Sequence, residues 1–194
     1  MTWELKIKSL LYISRGLICL HEKGLMHHDF HPGNLLYNAN FLNITDLGLC
    51  KSTNQSSQSR GVYGVMPYVA PEVLYGEKYT IASDIYSFGI IAYELLAIEI
   101  CKGLRPKIPS YIPEFITKLI MQCWNAQPEK RPTAKELFLN YHNKFHPEYI
   151  DQIEKAEKIT NNILASNAKT SLDYKLHPGA IYTNSELINL EIPE

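Results

Sequence analysis

Two carboxylates and one amide occur at a spacing that suits metal and phosphate chemistry. Asp29 lies five residues before Asn34, and Asp46 follows after a predicted hairpin. With the turn centred near Ala39, Asn34 is expected roughly opposite Ile44, which puts Asp46 on a diagonal about 7–8 Å away. Hard oxygen ligands of this kind suit Mg²⁺, which binds one or two carboxylates together with substrate phosphates.

The same segment contains three histidines, which leave a zinc site as an alternative. The candidate ligands are His27, His28, Asp29 and His31. The metalloprotease helix motif requires Glu directly after its first His, where this sequence has His28. Pro32-Gly33 also disfavours a helix that presents two of these histidines on one face. A simpler alternative is that both aspartates of the region are ordinary turn residues.

Helical periodicity on both sides of one hairpin predicts the elements that position these residues. Residues 1–24 form a helix that ends near Gly24, a residue suited to a left-handed C-terminal cap. The hairpin pairs residues 35–37 with 41–44 across the three-residue turn 38–40. Further helices are predicted over residues 81–100, 113–126, 133–145 and 148–164. A long polar surface loop is expected at 49–64, and residues 166–194 show no clear periodicity.

Composition favours one folded core and disfavours several classes of partner. The 194 residues are 45% hydrophobic and carry a formal charge of −1, so neither disorder nor a nucleic-acid-binding surface is expected. The most apolar run, residues 85–98, is short and contains Glu94, so no membrane partner is expected. None of the four cysteines lies within three residues of another, and the N-terminus lacks a signal-peptide pattern. These features predict reduced thiols and a cytoplasmic location.

Several short motifs resemble those of protein kinases, in the order and at the spacing of that family. His27-His28-Asp29 with Asn34 resembles the catalytic loop, H-R-D followed after four residues by N. Asp46-Leu47-Gly48 resembles the metal-binding D-F-G, and Ala70-Pro71-Glu72 matches A-P-E. The family's central helix and C-terminal subdomain are resembled by Asp84–Gly89, Cys123-Trp124, Pro128 and Arg131-Pro132-Thr133. The resemblance covers roughly residues 3–145.

The resemblance implies transfer of the ATP γ-phosphate to a protein hydroxyl, on Ser or Thr in preference to Tyr. It is strongest to the tyrosine-kinase-like branch of serine/threonine kinases. Asp29 would accept or orient the proton of the substrate hydroxyl, while Asn34 and Asp46 would hold Mg²⁺ against the ATP phosphates. Leu36 would pack under the adenine ring. The implied partners are ATP and a protein substrate.

The resemblance also implies a fold and two structural contacts. The expected class is α+β, a kinase-like large (C-terminal) lobe over residues 1–146 that is mainly helical with a short hairpin. Residues 147–194 would form a C-terminal helix and a loosely ordered tail. Glu72 would form a buried ion pair with Arg131, and Asp84 would brace the backbone of the catalytic loop.

The sequence departs from the family at positions that bear on activity. It contains no G-x-G-x-x-G and no V-A-I-K-like segment, so the small lobe is expected to be absent. His28 replaces the arginine of H-R-D, His31 stands where a lysine is usual, and Val65 stands where a threonine is often found. The alternative to an active kinase is therefore a catalytically silent fragment or pseudokinase that acts as a helical binding module.

Overall fold

The structure is a computed structural model that describes residues 1–38, 41–53, 62, 64–97, 108–143 and 147–167. Most of this chain is helical, and its short strands form two separate two-stranded sheets, as the predicted α+β class requires. The elements in chain order are α1 (Trp3–His21), β1 (Leu25–Met26), β2 (Leu35–Asn38), β3 (Phe41–Ile44), β4 (Lys51–Ser52), α2 (Pro71–Leu74), α3 (Ile81–Leu96), α4 (Glu114–Cys123), α5 (Ala134–His142) and α6 (Pro147–Asn167).

Helix α1 supplies one side of the core because its apolar residues recur at three- and four-residue intervals. The fully buried members of this stripe are Trp3, Ile7, Leu10, Ile13 and Leu17. The stripe packs against α5, α3 and β3. The helix ends at His21, three residues earlier than predicted, and Gly24 then adopts the expected left-handed conformation with a φ of 64°.

Helix α3 crosses the middle of the core and packs closely on α4. At Gly89 an added Cβ would lie 2.6 Å from the Cβ of Cys123 and 2.8 Å from the indole of Trp124, so only glycine permits this approach. The helix ends at Leu96 because Ala97 is extended. Residues 98–100 of the predicted helix lie outside the described residues.

The hairpin of β2 and β3 forms where it was predicted, but with a different register. Leu35 pairs with Ile44, and Asn38 pairs with Phe41. Two residues rather than three therefore separate the paired ends, and Asn34 lies opposite Thr45 instead of Ile44. A shift of one residue moves side chains to the other face of a strand pair, so this difference decides which atoms meet at the site.

A second strand pair was not predicted. β1 and β4 pair antiparallel, with Leu25 opposite Ser52 and Met26 opposite Lys51. Each strand has two residues, which is too short to give an alternating pattern. β4 lies within the segment that was expected to be a surface loop, and it draws the chain after the hairpin back against the end of α1.

The C-terminal helices begin close to their predicted starts. Helix α5 follows a capping box in which the Thr133 hydroxyl accepts from the Glu136 N–H while the Glu136 carboxylate accepts from the Thr133 N–H. Helix α6 packs on the start of α1, where the Trp3 indole N–H donates to the Thr160 hydroxyl at 3.1 Å and the Trp3 backbone N–H donates to Glu157 at 2.8 Å. Residues 168–194 lie outside the described chain.

The predicted Glu72–Arg131 ion pair is confirmed. Arg131 Nη1 and Nη2 donate to the two Glu72 oxygens at 2.6 and 2.7 Å, and both side chains are buried. Nη1 and Nε of Arg131 also donate to the carbonyls of Ala82 and Asn125. Burial alone would raise the pKa of Glu72, but the hydrogen bonds and charge of Arg131 outweigh it and hold that pKa below its usual range.

We expect Arg131→Ala to lower the free energy of unfolding by about 3–5 kcal/mol, because it leaves the Glu72 carboxylate buried without its partner. Urea denaturation followed by circular dichroism measures this quantity. Lys155→Ala is the matched control: it breaks an ion pair of equally short length, 2.6 Å, whose side chains are 69% and 65% exposed. The control should cost about 0–1 kcal/mol. Equal effects of the two substitutions would contradict the importance of the buried pair.

Candidate active site

The carboxylate of Asp84 holds the backbone that precedes Asp29. Asp84 Oδ2 accepts from the His27 N–H at 2.9 Å and from His21 Nε2 at 3.1 Å, while Oδ1 accepts from the His28 N–H at 3.3 Å. The predicted brace between Asp84 and the loop is thus confirmed. Because Asp84 is only 2% exposed, these donors replace the water that its charge has lost.

His27 connects this loop to the end of the hairpin. Its Nε2 lies 3.0 Å from the carbonyl oxygen of Thr45, and its Nδ1 lies 3.4 Å from the backbone N–H of Asp29. A carbonyl only accepts and an N–H only donates, so these contacts assign the neutral tautomer with the proton on Nε2. The fully buried ring therefore fixes the loop relative to the residue before Asp46.

Asn34 joins the two segments that carry the aspartates. Its Nδ2 donates to the carbonyl oxygen of Asp29 at 2.8 Å, and its own carbonyl accepts from the backbone N–H and the hydroxyl of Thr45 at 2.9 and 3.1 Å. The amide is 7% exposed, and its bond to Asp29 uses the nitrogen and leaves Oδ1 as an acceptor. The structure thus brings Asn34 next to the backbone of Asp29 and to Thr45, the residue before Asp46.

Two residues at this site have unusual backbone conformations. His28 and Asp46 have φ values of 70° and 54°, and they are the non-glycine residues with positive φ in the part of the chain that the structure describes. Such conformations are uncommon outside glycine and concentrate at functional sites. Asp46 is exposed, and it precedes a 3-10 turn at Leu47–Leu49.

The Asp29 carboxylate lies between His31 and the backbone of Gly64. Asp29 Oδ1 is 3.5 Å from His31 Nε2, and this oxygen is buried without a hydrogen-bond partner. Gly64 has a φ of 107°, and an added Cβ there would lie 3.3 Å from the His28 carbonyl and 3.4 Å from Asp29 Oδ1. Glycine at this position therefore satisfies both the backbone conformation and the close approach.

His28 occupies the position of the family's arginine without supplying a charge. Its ring stacks on Tyr79 with centroids 4.4 Å apart and planes 13° apart. Burial lowers the pKa of the His28 imidazole, and this effect outweighs the opposing charge of Asp84. At neutral pH the ring is therefore uncharged and is a poor site for a phosphorylated side chain.

The remaining candidates are less enclosed. Leu36 is 57% exposed on β2, so any packing against an adenine ring stays a prediction. No three His, Cys, Asp or Glu side chains converge as metal ligands within the described residues, and the zinc alternative has no support there. Asn34 does not belong to these four residue types, because the ligand that it would offer to a Mg²⁺ ion shared with Asp46 is an amide oxygen.

The sequence pattern of the protein kinase domain matches residues 3–142. This chain belongs to the protein kinase family. The match ends at the last residue of α5, so α6 lies beyond it. The kinase motifs from which the family was predicted all fall inside the matched region.

Named relatives agree with this membership. A protein of Acanthamoeba polyphaga mimivirus named as a serine/threonine-protein kinase/receptor is 34% identical over 163 residues, which cover 75% of this chain and 10% of that protein. Two proteins of Dictyostelium discoideum named as serine/threonine-protein kinases are 35% and 34% identical over 148 residues, which cover 68% of this chain and 9% and 11% of those proteins. The chain thus spans about a tenth of the length of these kinases.

Sequence reasoning missed three residues that shape this kinase site. Tyr79 stacks on His28, Gly64 lies against Asp29, and His21 donates to Asp84. His21 and Gly64 could have been suspected, because His21 ends α1 shortly before the loop that carries Asp29, and Gly64 is the last residue of the predicted surface loop. Tyr79 gave no signal, since no motif or periodicity includes it.

Among the described helices, none is both long enough and apolar enough to cross a bilayer.

We expect the neutrality of His28 to appear in the pH dependence of stability. Because burial lowers its folded-state pKa below the unfolded value of about 6.5, the stabilisation is complete above that pH and is lost as the pH falls through the folded-state pKa. His28→Phe keeps a ring stacked on Tyr79 but cannot take up a proton. Urea denaturation between about pH 7.5 and 5 should therefore show a steeper loss for the unchanged chain than for the variant. Parallel curves would contradict a buried neutral His28.

Proposed function

We propose that this chain is the large lobe of a serine/threonine kinase of the tyrosine-kinase-like branch, and that it transfers the ATP γ-phosphate to a protein hydroxyl when combined with a small lobe. One observation carries the proposal: Asn34 bonds the backbone of Asp29 through its amide and the backbone of Thr45 through its carbonyl. Asn34, itself a proposed metal ligand, thus joins the backbone of the proposed base to the residue that precedes the second proposed ligand, Asp46. The names of the relatives support the choice of Ser or Thr.

The donor set fits Mg²⁺–ATP. The side-chain nitrogen of Asn34 donates to the Asp29 carbonyl, so the amide oxygen is left to act as a ligand. Asp46 offers an exposed carboxylate directly after Thr45. A carboxylate and an amide oxygen with open positions for water and phosphate match the preference of Mg²⁺. When bound, the ion would neutralise charge on the transferred phosphoryl group.

Asp29 performs the proton chemistry in this proposal. Its side chain is 21% exposed although Oδ1 is enclosed, so the rest of the side chain is accessible to a substrate hydroxyl. Asp29 accepts or orients the proton of that hydroxyl as the oxygen attacks the phosphoryl group. The contacts of its backbone with His27 and Asn34 hold it in place.

The cysteine pattern and the described free thiols support a cytoplasmic location as part of the same proposal.

A catalytically silent kinase-like module is the second candidate, and one observation favours it. Residues 25–50 contain no Lys or Arg, and both His28 and His31 stand where the family usually has a cation. The loop itself therefore offers phosphate no positive side chain. Under this alternative the helical surface would bind a partner without phosphoryl transfer.

We expect residues 1–194 alone to show little or no phosphoryl transfer, because the sequence has no glycine-rich loop or strand lysine to fix the ATP phosphates. Fusion of residues 1–194 behind a kinase small lobe that carries a glycine-rich loop and a strand lysine should restore transfer. The measurement is incorporation of radiolabelled phosphate into a generic protein substrate. Asp29→Asn or Asp46→Asn in the fusion should each reduce the rate by at least about 100-fold.

The two candidates separate on the same assay. Asp151→Asn is the control, because it is an equivalent change on exposed α6, and it should leave the fusion's rate unchanged. A folded fusion that binds Mg²⁺–ATP without turnover would favour the silent module. Robust turnover by residues 1–194 alone, abolished by Asp29→Asn, would show that the small lobe contributes less than proposed.

A further inference from the structure

A buried carboxylate oxygen of the candidate active site lacks a hydrogen bond. Asp29 Oδ1 is enclosed by protein, and the atoms described around it provide no donor within hydrogen-bond distance. An unsatisfied buried acceptor of this kind typically costs about 1–3 kcal/mol, so its surroundings need an explanation. The imidazole Nε2 of His31 lies 3.5 Å away, just beyond hydrogen-bond length.

The contacts of His31 determine which of its nitrogens carries the proton. The backbone N–H of Gly33 donates to His31 Nδ1 at 3.1 Å. A nitrogen that accepts a hydrogen bond carries no proton, so the neutral ring has its proton on Nε2, which faces Asp29. Pro32 and Gly33 begin the 3-10 turn that creates this contact.

Gly33 also provides the space in which the imidazole lies. A Cβ added to Gly33 would come within 2.8 Å of the His31 Cε1 and 3.0 Å of its Nδ1. Any other residue at position 33 would displace the ring from the N–H that orients it. The local sequence is therefore compatible with the observed ring position only while glycine occupies this site.

The outer side of the ring is supported by Tyr68. The two ring centroids are 6.1 Å apart with planes inclined by 39°. Tyr68 is itself fixed at both ends, because its hydroxyl donates to Glu94 at 2.7 Å and its backbone carbonyl accepts from the Ser87 hydroxyl at 2.7 Å. The imidazole is thus held between a backbone N–H on one side and an anchored aromatic ring on the other.

We propose that His31 is a positioning residue that orients Asp29 by donating from Nε2 to Asp29 Oδ1. The proposal rests on the proposed function, in which Asp29 handles the proton of the substrate hydroxyl. The 3.5 Å separation shortens to a hydrogen bond when substrate is bound, as catalytic contacts that are long in free enzymes commonly do. A donor at this position fixes Oδ1 of Asp29 and thereby turns the second oxygen towards the substrate.

Three variants of residues 1–194 separate this role from a purely structural one. In His31→Asn the side-chain oxygen can replace Nδ1 as acceptor for the Gly33 N–H, but nothing replaces Nε2. In His31→Gln the amide N–H lies near the position of Nε2. Gly33→Ala keeps the histidine at position 31 but displaces its imidazole ring.

The first readout is NMR and does not depend on activity. Nitrogen-15 shifts of His31 should show an unprotonated Nδ1 and a protonated Nε2, and three-bond couplings should show one χ1 rotamer for Asp29. The Asn and Ala variants should give an averaged Asp29 rotamer, while the Gln variant should keep it fixed. The opposite tautomer, or an Asp29 rotamer that no variant changes, would overturn the proposal. If no variant changes the Asp29 rotamer, a water in the small cavity of about 10 Å³ beside Asp29 and His28 would hold the carboxylate instead of His31.

The second readout uses the two-lobed fusion described above. His31→Asn should lower kcat about 10- to 100-fold, because misplacement of a catalytic group has effects of this size, and the KM for ATP should stay nearly constant. His31→Gln should recover most of the loss. An unchanged kcat in His31→Asn would overturn the role of His31 although Asp29→Asn still abolishes transfer. If Asp29→Asn also had no effect, the proposed function itself would fail, and the NMR result would still decide the contact.

Discussion

The buried carboxylate of Asp84 is the constraint on which the candidate site depends. A charge that is 2% exposed on the first turn of α3 is unfavourable unless donors surround it, and two of its donors are backbone N–H groups of the loop that leads to Asp29. Satisfying Asp84 therefore fixes the path of the loop at His27 and His28. The left-handed backbone of His28 follows from that path, and so does the point at which Asp29 emerges. The charge of Asp84 on helix α3 thus holds the loop that carries Asp29 against the core.

Imidazole rings organise the site, and two of them, His28 and His31, stand where the family usually has a cation. His27 bridges two segments through both ring nitrogens, His28 stacks on an aromatic ring, and His31 lies beside the proposed base. Each ring contributes direction and packing, and burial keeps the pKa of the His28 imidazole low. Under the proposed function, attraction of phosphate would depend on a bound cation and on residues outside residues 25–50. This explains how the geometry of a kinase loop can be kept while its electrostatic character changes.

The sequence predicted the family, the order of the main elements and the contacts of Glu72 and Asp84, because each involves a motif or a strong period. It failed where a structural result depends on a single residue of register or on contacts remote in sequence. The predicted centre of the hairpin turn lay half a residue before the observed one, since turn propensity does not distinguish two connecting residues from three. The pairing of β1 with β4 and the stack of Tyr79 on His28 join short segments that carry no pattern of their own. The roles of Asn34, Leu36 and Asp46 towards ATP and Mg²⁺ stay predictions.

The attachment of α6 to the start of α1 has a consequence for folding kinetics. The bond from the Trp3 indole to Thr160 connects residues separated by 157 positions. Contacts of such separation form slowly unless the intervening chain is already ordered, because the entropy of closing the loop opposes them. We therefore expect docking of α6 to be a late step, and local opening there to precede global unfolding. Until α6 docks, the buried Trp3 and its neighbours on α1 form an apolar surface open to other chains, which makes this end of the molecule the place where association of incompletely folded copies would begin.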